Sequence, residues 1–369
     1  MQVILGILFH FLGGFASGSF YIPFKKVKNW AWETYWLVGG IFSWFIIPPL
    51  AAWLTIPHFS EIIAGTPGEI LWLTYFFGLL WGIGGLTYGL GVRYLGVSLG
   101  STIILGLCAV FGSLIPSLYY KFFPKPGKDS MDTLMHSHWG HWVLAGIGLT
   151  LFGIIICGKA GMMKEKELTE GKADVEDNKD YRFGLGILVA IISGILSACF
   201  NFGLEAGKVM AQEANTRWVS SHHGLGNFLF QNNVVYIIIL WGGLTTNFIW
   251  CMVLNARNKT FADYLNKKTP LLYNYIFSAL AGTTWFLQFF FYGMGESRLG
   301  NGASSWILHM AFIILIANVW GLILREWKGV SRKALITLVL GILVIILSVG
   351  VVGRGNALKE INPTTNKIK

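Results

Sequence analysis

The segment WFLQFFFYGMGESRLG (residues 285–300) repeats a pattern found earlier in the chain, as WGIGGLTYGLGVRYLG at residues 81–96. With an offset of 204 positions, six residue pairs are identical: Trp81 and Trp285, Tyr88 and Tyr292, Gly89 and Gly293, Gly91 and Gly295, Leu95 and Leu299, Gly96 and Gly300. Six identities at one offset, Trp and Tyr among them, exceed what an apolar composition produces by chance. The repeat predicts a fold built from two related halves.

The composition is that of a membrane protein. Of 369 residues, 54% are hydrophobic and only 12% are charged, and the mean hydropathy is +0.58. A soluble domain carries roughly a quarter charged residues. Apolar runs of about 20 residues, long enough to cross a bilayer as helices, recur along the chain. We therefore expect an all-α polytopic membrane protein.

The apolar runs predict ten transmembrane helices in two five-helix repeats. The predicted spans are residues 3–23, 33–54, 70–92, 95–119, 140–159, 183–204, 228–254, 271–293, 302–324 and 334–353. The predicted domains are the first repeat (1–159), a charged linker (160–182), the second repeat (183–353) and a polar C-terminal tail (354–369). Because each repeat has an odd number of spans, the second must enter the membrane inverted relative to the first.

The Lys and Arg residues predict the orientation. Of the 28, 18 fall in loops on the side opposite the N-terminus, including the linker. By the positive-inside rule this side is cytoplasmic, so both termini face outward. The net charge of +10 thus reflects topology and does not indicate nucleic-acid binding. All four cysteines lie in apolar runs without a CxxC pair, which predicts apolar core residues and neither disulfides nor a metal site.

Three ionisable residues in the predicted spans are candidates for proton coupling. They are His10 in the first span, Glu33 at the start of the second and His309 in the ninth. A charge at the bilayer centre costs about 2.5–3.5 kcal/mol, so such residues are functional candidates by default. Structural explanations stay open. Glu33 could stabilise a helix N-terminus within an interfacial aromatic belt, and a buried neutral histidine could bond to a neighbouring carbonyl.

Uncharged polar and aromatic residues predict a site for a neutral sugar. Gln288 is an amide in the middle of an apolar span, so it must bond either to another helix or to a substrate. Aromatic faces with a few convergent amides and hydroxyls suit the C–H faces and hydroxyls of a sugar. The other predicted substrate-binding residues are Trp81, Tyr88, Trp285, Tyr292, Trp306, Tyr21, Lys25 and Asn201.

The remaining charged residues near span ends predict structural roles. Glu205 and Lys208 are three positions apart, which predicts a local ion pair. Glu296 and Arg298 follow the end of the eighth span and are predicted to lie in a loop.

Several motifs resemble the L-rhamnose–proton symporters. The segment FYIPFKKVK (20–28), followed by WET (32–34), resembles the N-terminal signature of that family. Further matching segments are WGIG (81–84), YGL (88–90), RYLG (93–96), LQFFFY (287–292) and SWILHM (305–310). The resemblance extends from about residue 6 to about residue 328. The residues that stand where family members share the same residue types are His10, Glu33, Trp81, Tyr88, Gln288, Trp306 and His309.

The resemblance implies a ten-helix inverted-repeat fold of the drug/metabolite transporter superfamily in the bacterial inner membrane. It also implies uptake of L-rhamnose or a related 6-deoxyhexose with H+ as coupling ion, without a cofactor or an obligate protein partner. Glu33 would take up a proton from outside and favour sugar binding, after which rocking of the halves would release both inside. The sequence departs from the family pattern at Gly85, Thr87, Glu205 and Phe286, which leaves the sugar open.

Other functions stay open beside this one. The chain could carry a different sugar or metabolite on the same fold, coupled to another cation or uncoupled. A nucleotide-sugar exchanger would want basic residues at membrane depth, which are few here. An intramembrane enzyme would need a Ser–His pair, paired Asp residues or an HExxH motif, and the predicted spans contain none. A receptor or scaffold would show no substrate flux.

Overall fold

The computed structural model describes residues 1–95, 97–124, 128–170, 182–223, 226–325 and 327–361. These residues form helices and connecting turns, with no β-strand among them. In chain order the helices are α1 (Gln2–Ser19), α2 (Tyr21–Phe24), α3 (Trp32–Gly40), α4 (Ile47–Thr55), α5 (Phe59–Gly65), α6 (Gly68–Leu95), α7 (Val97–Phe122), α8 (Met131–His136), α9 (His138–Glu170), α10 (Phe183–Ala206), α11 (Lys208–Ser221), α12 (Asn233–Asn258), α13 (Leu271–Leu299), α14 (Gly302–Ile323) and α15 (Arg332–Ile361). A π-helical turn (Ile41–Ile46) joins α3 to α4, and a 3₁₀ turn (Phe261–Leu265) follows α12.

Within the described residues, nine stretches are long and apolar enough to cross a membrane. They are Gln2–Phe24, Trp32–Thr55, Gly68–Leu95, Gly100–Phe122, His138–Glu167, Phe183–Ala206, Asn233–Asn258, Gly302–Ile323 and Arg332–Lys359. Each coincides with a predicted span, which confirms an all-helical polytopic membrane protein. The other predicted span, 271–293, forms most of α13. This helix has 29 residues and carries Asn, Ser, Thr and Gln side chains among its apolar residues.

Several helices continue into segments predicted as loops or tails. Helix α9 extends to Glu170, into the predicted linker, and α15 extends to Ile361, into the predicted tail. The 14-residue helix α11 occupies the predicted loop between the sixth and seventh spans. The rest of the linker, residues 171–181, lies outside the described residues. Hydropathy locates where apolar sequence ends, whereas a helix continues for as long as its backbone bonds and side-chain contacts allow.

The chain divides into two compact units. Unit 1 comprises Met1–Gly14, Gly84–Ala198 and Arg298–Lys369, and unit 2 comprises Phe15–Ile83 and Cys199–Ser297. Each unit therefore takes segments from both predicted halves. The four boundaries fall inside α1, α6, α10 and α13, which contain the first and third predicted spans of each half.

In unit 1, α9 packs along α15, and α14 packs between α7 and α15. The Thr150 hydroxyl of α9 donates to the Ser348 hydroxyl of α15 at 2.9 Å. Asp129 accepts hydrogen bonds from the Asn301 amide at 2.6 Å and from the Lys359 ammonium at 2.5 Å. This carboxylate thus ties the residue before α14 to the end of α15.

In unit 2, α3, the π-helical turn and α4 pack against α12. The Trp36 indole N–H donates to Asn247 Oδ1 at 3.0 Å, and the Asn233 amide donates to the Thr55 hydroxyl at 2.9 Å. These two bonds hold opposite ends of the α3–α4 segment onto one helix. Lipid tails are as apolar as the side chains of the helices, so the hydrophobic effect contributes little to helix association in a membrane. Hydrogen bonds between helices are therefore expected to contribute to it.

Helices α3 and α13 approach each other at two glycines. A Cβ at Gly282 would overlap the carbonyl oxygen of Gly39, which belongs to the backbone and cannot move aside. We expect Gly282→Ala to lower the free energy of unfolding by about 1–3 kcal/mol, the usual range for overpacking. The melting temperature in detergent measures this with a thiol-reactive dye, because all four cysteines are buried until the protein unfolds.

The control for this prediction is Gly148→Ala, at a site where an added Cβ meets nothing within 4 Å. Its melting temperature should equal or exceed that of the parent, since alanine is the better helix former. Equal melting temperatures for the Gly282 and Gly148 variants would contradict the close approach of α3 and α13.

Candidate functional site

Glu33 lies in the first turn of α3 and is only 4% exposed. Its Oε1 accepts hydrogen bonds from the Asn258 amide at 3.0 Å and from the Thr260 hydroxyl at 2.8 Å. Lys259, with a φ of 58°, ends α12 and turns the chain between these two donors. In the described part of the chain, no Lys or Arg forms an ion pair with Glu33. The carboxylate is therefore held by neutral donors at a helix N-terminus, where a negative charge is favourable.

A second carboxylate fixes the start of α3. Asp263 Oδ2 accepts bonds from the backbone N–H of Ala31 at 2.8 Å and from the Thr34 hydroxyl at 3.1 Å. Asn274 adds two bonds to the backbone of Lys28, one accepted at 3.0 Å and one donated at 2.8 Å. The segment that carries Glu33 is thus anchored to the chain between α12 and α13 through Asp263, and to the first turn of α13 through Asn274.

The two histidines predicted for proton coupling lie together in unit 1. His10 of α1 and His309 of α14 are both buried, with ring centroids 6.2 Å apart. A side chain at Gly14 would overlap Phe312, so this glycine allows α1 to lie close to α14. Glu33 belongs to unit 2. The predicted proton-coupling residues therefore fall into one pair and one separate carboxylate.

Two of the predicted sugar-binding residues also belong to unit 1. Trp306, one turn before His309, donates its indole N–H to the Cys108 carbonyl at 3.0 Å. Tyr88 donates its hydroxyl to Ser101 at 2.7 Å and packs against the buried Leu95. Both polar groups thus have protein partners in this structure.

The other predicted sugar-binding residues lie in unit 2, where aromatic rings form a connected cluster. Trp81 contacts Phe200 at a centroid distance of 5.3 Å and Phe289 at 5.8 Å, and Trp285 lies 6.4 Å from Phe289. Phe200 and Phe289 stack on each other at 4.4 Å. Sequence reasoning selected the two tryptophans but neither phenylalanine.

Gln288 carries the unsatisfied amide of this region. It is 4% exposed, and its Nε2 is buried with no hydrogen-bond partner among the described residues. One turn later, the Tyr292 hydroxyl donates to Asn201 Oδ1 at 3.3 Å. By contrast, Tyr21 is 41% exposed and Lys25 is exposed just after α2.

A cleft in unit 2 encloses about 210 Å³, including its open mouth. Its lining residues are Phe20, Phe24, Trp36, Gly39, Gly40, Ser43, Trp44, Ala281, Gly282 and Trp285. Three lining residues carry polar atoms that are buried without a hydrogen-bond partner in the described structure: Ser43 Oγ, Trp44 Nε1 and Trp285 Nε1. Only Trp285 was among the predicted site residues.

Two prolines follow the π-helical turn at this cleft. Pro48 and Pro49 lack the N–H groups that would bond four and five positions back to the Trp44 carbonyl, so neither an α- nor a π-helical donor reaches it. Such turns often occur at functional sites. The pair Gly39-Gly40 and the pair Pro48-Pro49 in one apolar span were the available signals for this cleft.

A buried charged pair in unit 2 was also missed. Glu296 lies within α13 and not in the predicted loop, and its Oε1 contacts Lys208 Nζ at 2.5 Å. Asn232 donates to the other carboxylate oxygen at 2.8 Å. Lys208 thus makes its ion pair with a residue distant in sequence, while Glu205, its predicted partner, also interacts with it electrostatically. Burial by itself lowers the pKa of Lys208, but the carboxylates of Glu296 and Glu205 outweigh it, and the net shift is upward.

Among the described residues, no group of three or more His, Cys, Asp or Glu is arranged to hold a metal ion. The four cysteines are buried and free. The side chains gathered in unit 2 are aromatic rings, amides and hydroxyls, which suit hydrogen bonding and stacking with a neutral ligand.

Comparison with known proteins gives a consistent match. The sequence model of a family described as L-rhamnose-proton symport protein matches residues 1–358. An L-rhamnose-proton symporter of Yersinia pestis (strain Pestoides F) is 36% identical over 361 residues, covering 96% of this chain and 98% of the relative. An L-rhamnose-proton symporter of Pectobacterium carotovorum subsp. carotovorum (strain PC1) is also 36% identical over 361 residues, with the same coverage.

Proposed function

Because the chain belongs to the L-rhamnose-proton symport protein family, we propose that it imports L-rhamnose, or a close 6-deoxyhexose, together with a proton across the bacterial inner membrane. The family match over residues 1–358 carries this proposal. The family is one of transporters, so the chain is not an enzyme. The coupling ion is H+, and the partners are the sugar and the lipid bilayer.

The proposed architecture has ten spans in two inverted five-helix repeats, with α13 as the eighth. The 204-residue offset between the Trp-x6-Tyr-Gly motifs supports it. So do the unit boundaries in the first span of each half, where the part before the boundary belongs to unit 1 and the part after it to unit 2. The repeats are 1–159 and 183–353, with a cytoplasmic linker at 160–182, a tail at 354–369 and both termini outward.

We place the sugar site around Gln288 and the aromatic cluster of unit 2. A buried amide without a partner costs about 1–3 kcal/mol, unless a ligand bonds to it. A sugar hydroxyl would accept from Gln288 Nε2, while Trp285 and Trp81 offer ring faces to its C–H groups. Further proposed contacts, all within unit 2, are Tyr292 with Asn201, then Tyr21 and Lys25.

We propose Glu33 as the proton carrier, with the buried pair His10 and His309 as a second titratable site. Protonation of Glu33 removes a charge at the start of a membrane span, which would favour the sugar-loaded state. At about 150 mV, one inward proton supplies about 3.4 kcal/mol, enough for an accumulation of about 300-fold before any pH gradient. One proton per sugar is therefore energetically sufficient.

The function is tested by uptake of labelled L-rhamnose into proteoliposomes. An inward proton gradient should drive accumulation above the external concentration, and adding sugar should alkalinise the outside. A protonophore should abolish accumulation but leave exchange of internal and external sugar. Equilibration without accumulation would favour an uncoupled facilitator, and counterflow with a panel of other sugars would then identify the substrate.

Replacing Gln288 by leucine should weaken sugar binding without destabilising the protein. The two side chains have similar volumes. No described protein group bonds to the amide nitrogen of Gln288, so the substitution removes a hydrogen-bond donor only from the ligand's surroundings. We expect the KM for L-rhamnose to rise about tenfold, the value of one hydrogen bond of roughly 1.4 kcal/mol, with an unchanged melting temperature.

The matched control is Asn356→Leu, another buried amide, whose Nδ2 donates within α15 to the Val352 carbonyl at 2.9 Å. It should leave the KM unchanged. A normal KM in Gln288→Leu would remove this residue from the sugar site.

A further inference from the structure

Four exposed cations lie in and directly after the turn that joins α14 to α15 in unit 1. The turn follows Ile323, and α15 begins at Arg332. Within it, the Lys328 N–H donates to the Arg325 carbonyl at 3.1 Å. The four residues, called the turn cations below, are Arg325, Lys328, Arg332 and Lys333. Among the described residues, which omit Glu326, no carboxylate pairs with any of them.

Cations near other helix ends of unit 1 are neutralised by carboxylates. Lys359, in the last turn of α15, contacts Asp129 at 2.5 Å, and Lys121, in the last turn of α7, contacts Asp132 at 3.0 Å. A helix C-terminus also favours a cation, whereas the first turn of a helix carries a partial positive charge. The turn cations therefore repel one another and the start of α15, so an anion bound among them would be stabilised.

Helix α9 holds this turn in place. Glu167 accepts from the backbone N–H and from the hydroxyl of Ser331, both at 2.6 Å. The Lys164 ammonium lies 4.9 Å from the ring centroid of Trp327, which is 9% exposed. Because both oxygens of Glu167 accept from Ser331, this carboxylate fixes the turn and does not pair with the turn cations. The cations are thus exposed on an anchored segment.

Apolar side chains are exposed directly beside the turn. At the end of α14, Ile323 is 60% exposed and the following Leu324 is 42% exposed, and on α15 Ile336 and Val339 are about half exposed. The two stretches that are apolar enough to cross a membrane end at Ile323 and begin at Arg332. The turn therefore lies where hydrocarbon gives way to lipid headgroups, with positive charge next to apolar surface.

We propose that the turn between α14 and α15 binds the phosphate group of an anionic phospholipid, whose acyl chains lie along the exposed apolar side chains of α15. Basic segments next to a membrane span attract anionic lipids, and basic pockets between spans bind their headgroups. Arginine and lysine donate strong, charge-assisted hydrogen bonds to phosphate oxygens. A free phosphate would contact only the cations, whereas a phospholipid matches both the cations and the apolar surface.

The test measures binding of radiolabelled phosphatidylglycerol to the full chain in dodecyl maltoside micelles. Each basic residue near a lipid surface contributes about a factor of five in affinity. Arg332→Gln/Lys333→Gln removes two turn cations and should therefore raise the Kd about 30-fold. The matched control is Lys267→Gln/Lys268→Gln, which removes two exposed adjacent cations of unit 2 and should leave the Kd within about twofold of the parent value.

The melting temperature in lipid-free detergent separates loss of the lipid from loss of structure. Arg332→Gln/Lys333→Gln removes unfavourable charges from the first turn of α15, so it should melt at or above the temperature of the parent. Arg325→Gln/Lys328→Gln changes no residue of a helix and should raise the Kd by the same factor. This second variant decides the question if the first does not fold.

Competition identifies the source of the phosphate. Unlabelled phosphatidylglycerol should displace the label, whereas phosphatidylcholine and glycerol 3-phosphate should not. Displacement by glycerol 3-phosphate would show a site for free phosphate and overturn the lipid proposal. So would a Kd in the two turn variants equal to that of the parent. These measurements do not involve sugar, so their outcome is independent of the proposed transport of L-rhamnose.

Discussion

Replacing Lys208 by methionine is expected to lower the free energy of unfolding by about 3–5 kcal/mol, because Glu296 would remain buried without its cation. The two side chains are only 14% and 8% exposed, and the nitrogen lies 2.5 Å from the carboxylate oxygen. Methionine has a similar apolar stem, so the loss reports the charge and not the packing. Melting in detergent, followed with a thiol-reactive dye on the buried cysteines, measures the effect.

The double variant Lys208→Met/Glu296→Gln should recover much of this loss. It removes both charges, and the glutamine oxygen can still accept from Asn232. The control is Arg217→Met, whose ion pair with Glu61 is 39% and 63% exposed, and which should cost no more than about 1 kcal/mol. If the Lys208 and Arg217 variants melt alike, the buried pair contributes no more than a surface contact.

The Lys208–Glu296 pair also predicts that the stability difference between the parent and Lys208→Met does not change with pH near neutrality. The pKa of Lys208 is raised from its ordinary value of 10.5, so the stability that its charge contributes is fully present below that value. It is lost only as the pH rises through the raised pKa. The difference in melting temperature between parent and Lys208→Met should therefore stay constant from about pH 6 to about pH 9. A difference that vanishes within this range would contradict the upward shift.

Glu33→Gln is expected to abolish proton-driven accumulation. Glutamine keeps the oxygen that accepts from Asn258 and Thr260 but cannot carry a proton. The accumulation ratio at about 150 mV should fall from a limit of about 300 to about 1. Proteoliposomes with a potassium diffusion potential measure the ratio, and counterflow of labelled L-rhamnose should persist.

Two further variants serve as controls for Glu33→Gln. Glu61→Gln changes an exposed carboxylate and should accumulate sugar normally. Glu33→Asp keeps a titratable group and should retain part of the coupling. Accumulation by Glu33→Gln would exclude Glu33 as the carrier, and His309→Gln would then test the histidine pair.

The all-helical fold could be predicted because a span must be apolar over about 20 residues, which is a local property of the chain. Contacts between distant residues could not. Local spacing suggested Glu205 as the partner of Lys208, whereas the contacting carboxylate is Glu296, 88 positions away. Charge near the end of an apolar run was read as a loop, although the helix continues because its polar residues bond inside the unit.

The candidate site could be predicted only in part, because its individual residues have local signals but their contacts join distant parts of the chain. His10 and His309 were selected one by one for their rarity in spans, and the structure places them side by side. The cleft depends on how α3 packs against α13, which the sequence does not show. Of its lining residues, only Trp285 was predicted as a site residue, because it is an aromatic residue near Gln288. Whether Glu33, the histidines and Gln288 act in transport stays a prediction for the experiments above.

The double proline after the π-helical turn has a mechanical consequence. The Trp44 carbonyl receives no donor from its own helix, so bending at this point breaks no additional backbone bond at that carbonyl. Residues on the α3 side of the joint and within it, Gly40 and Trp44, line the same cleft. A ligand that prefers one bend angle therefore shifts the joint towards that angle, and the joint in turn sets the ligand's affinity by the same free energy.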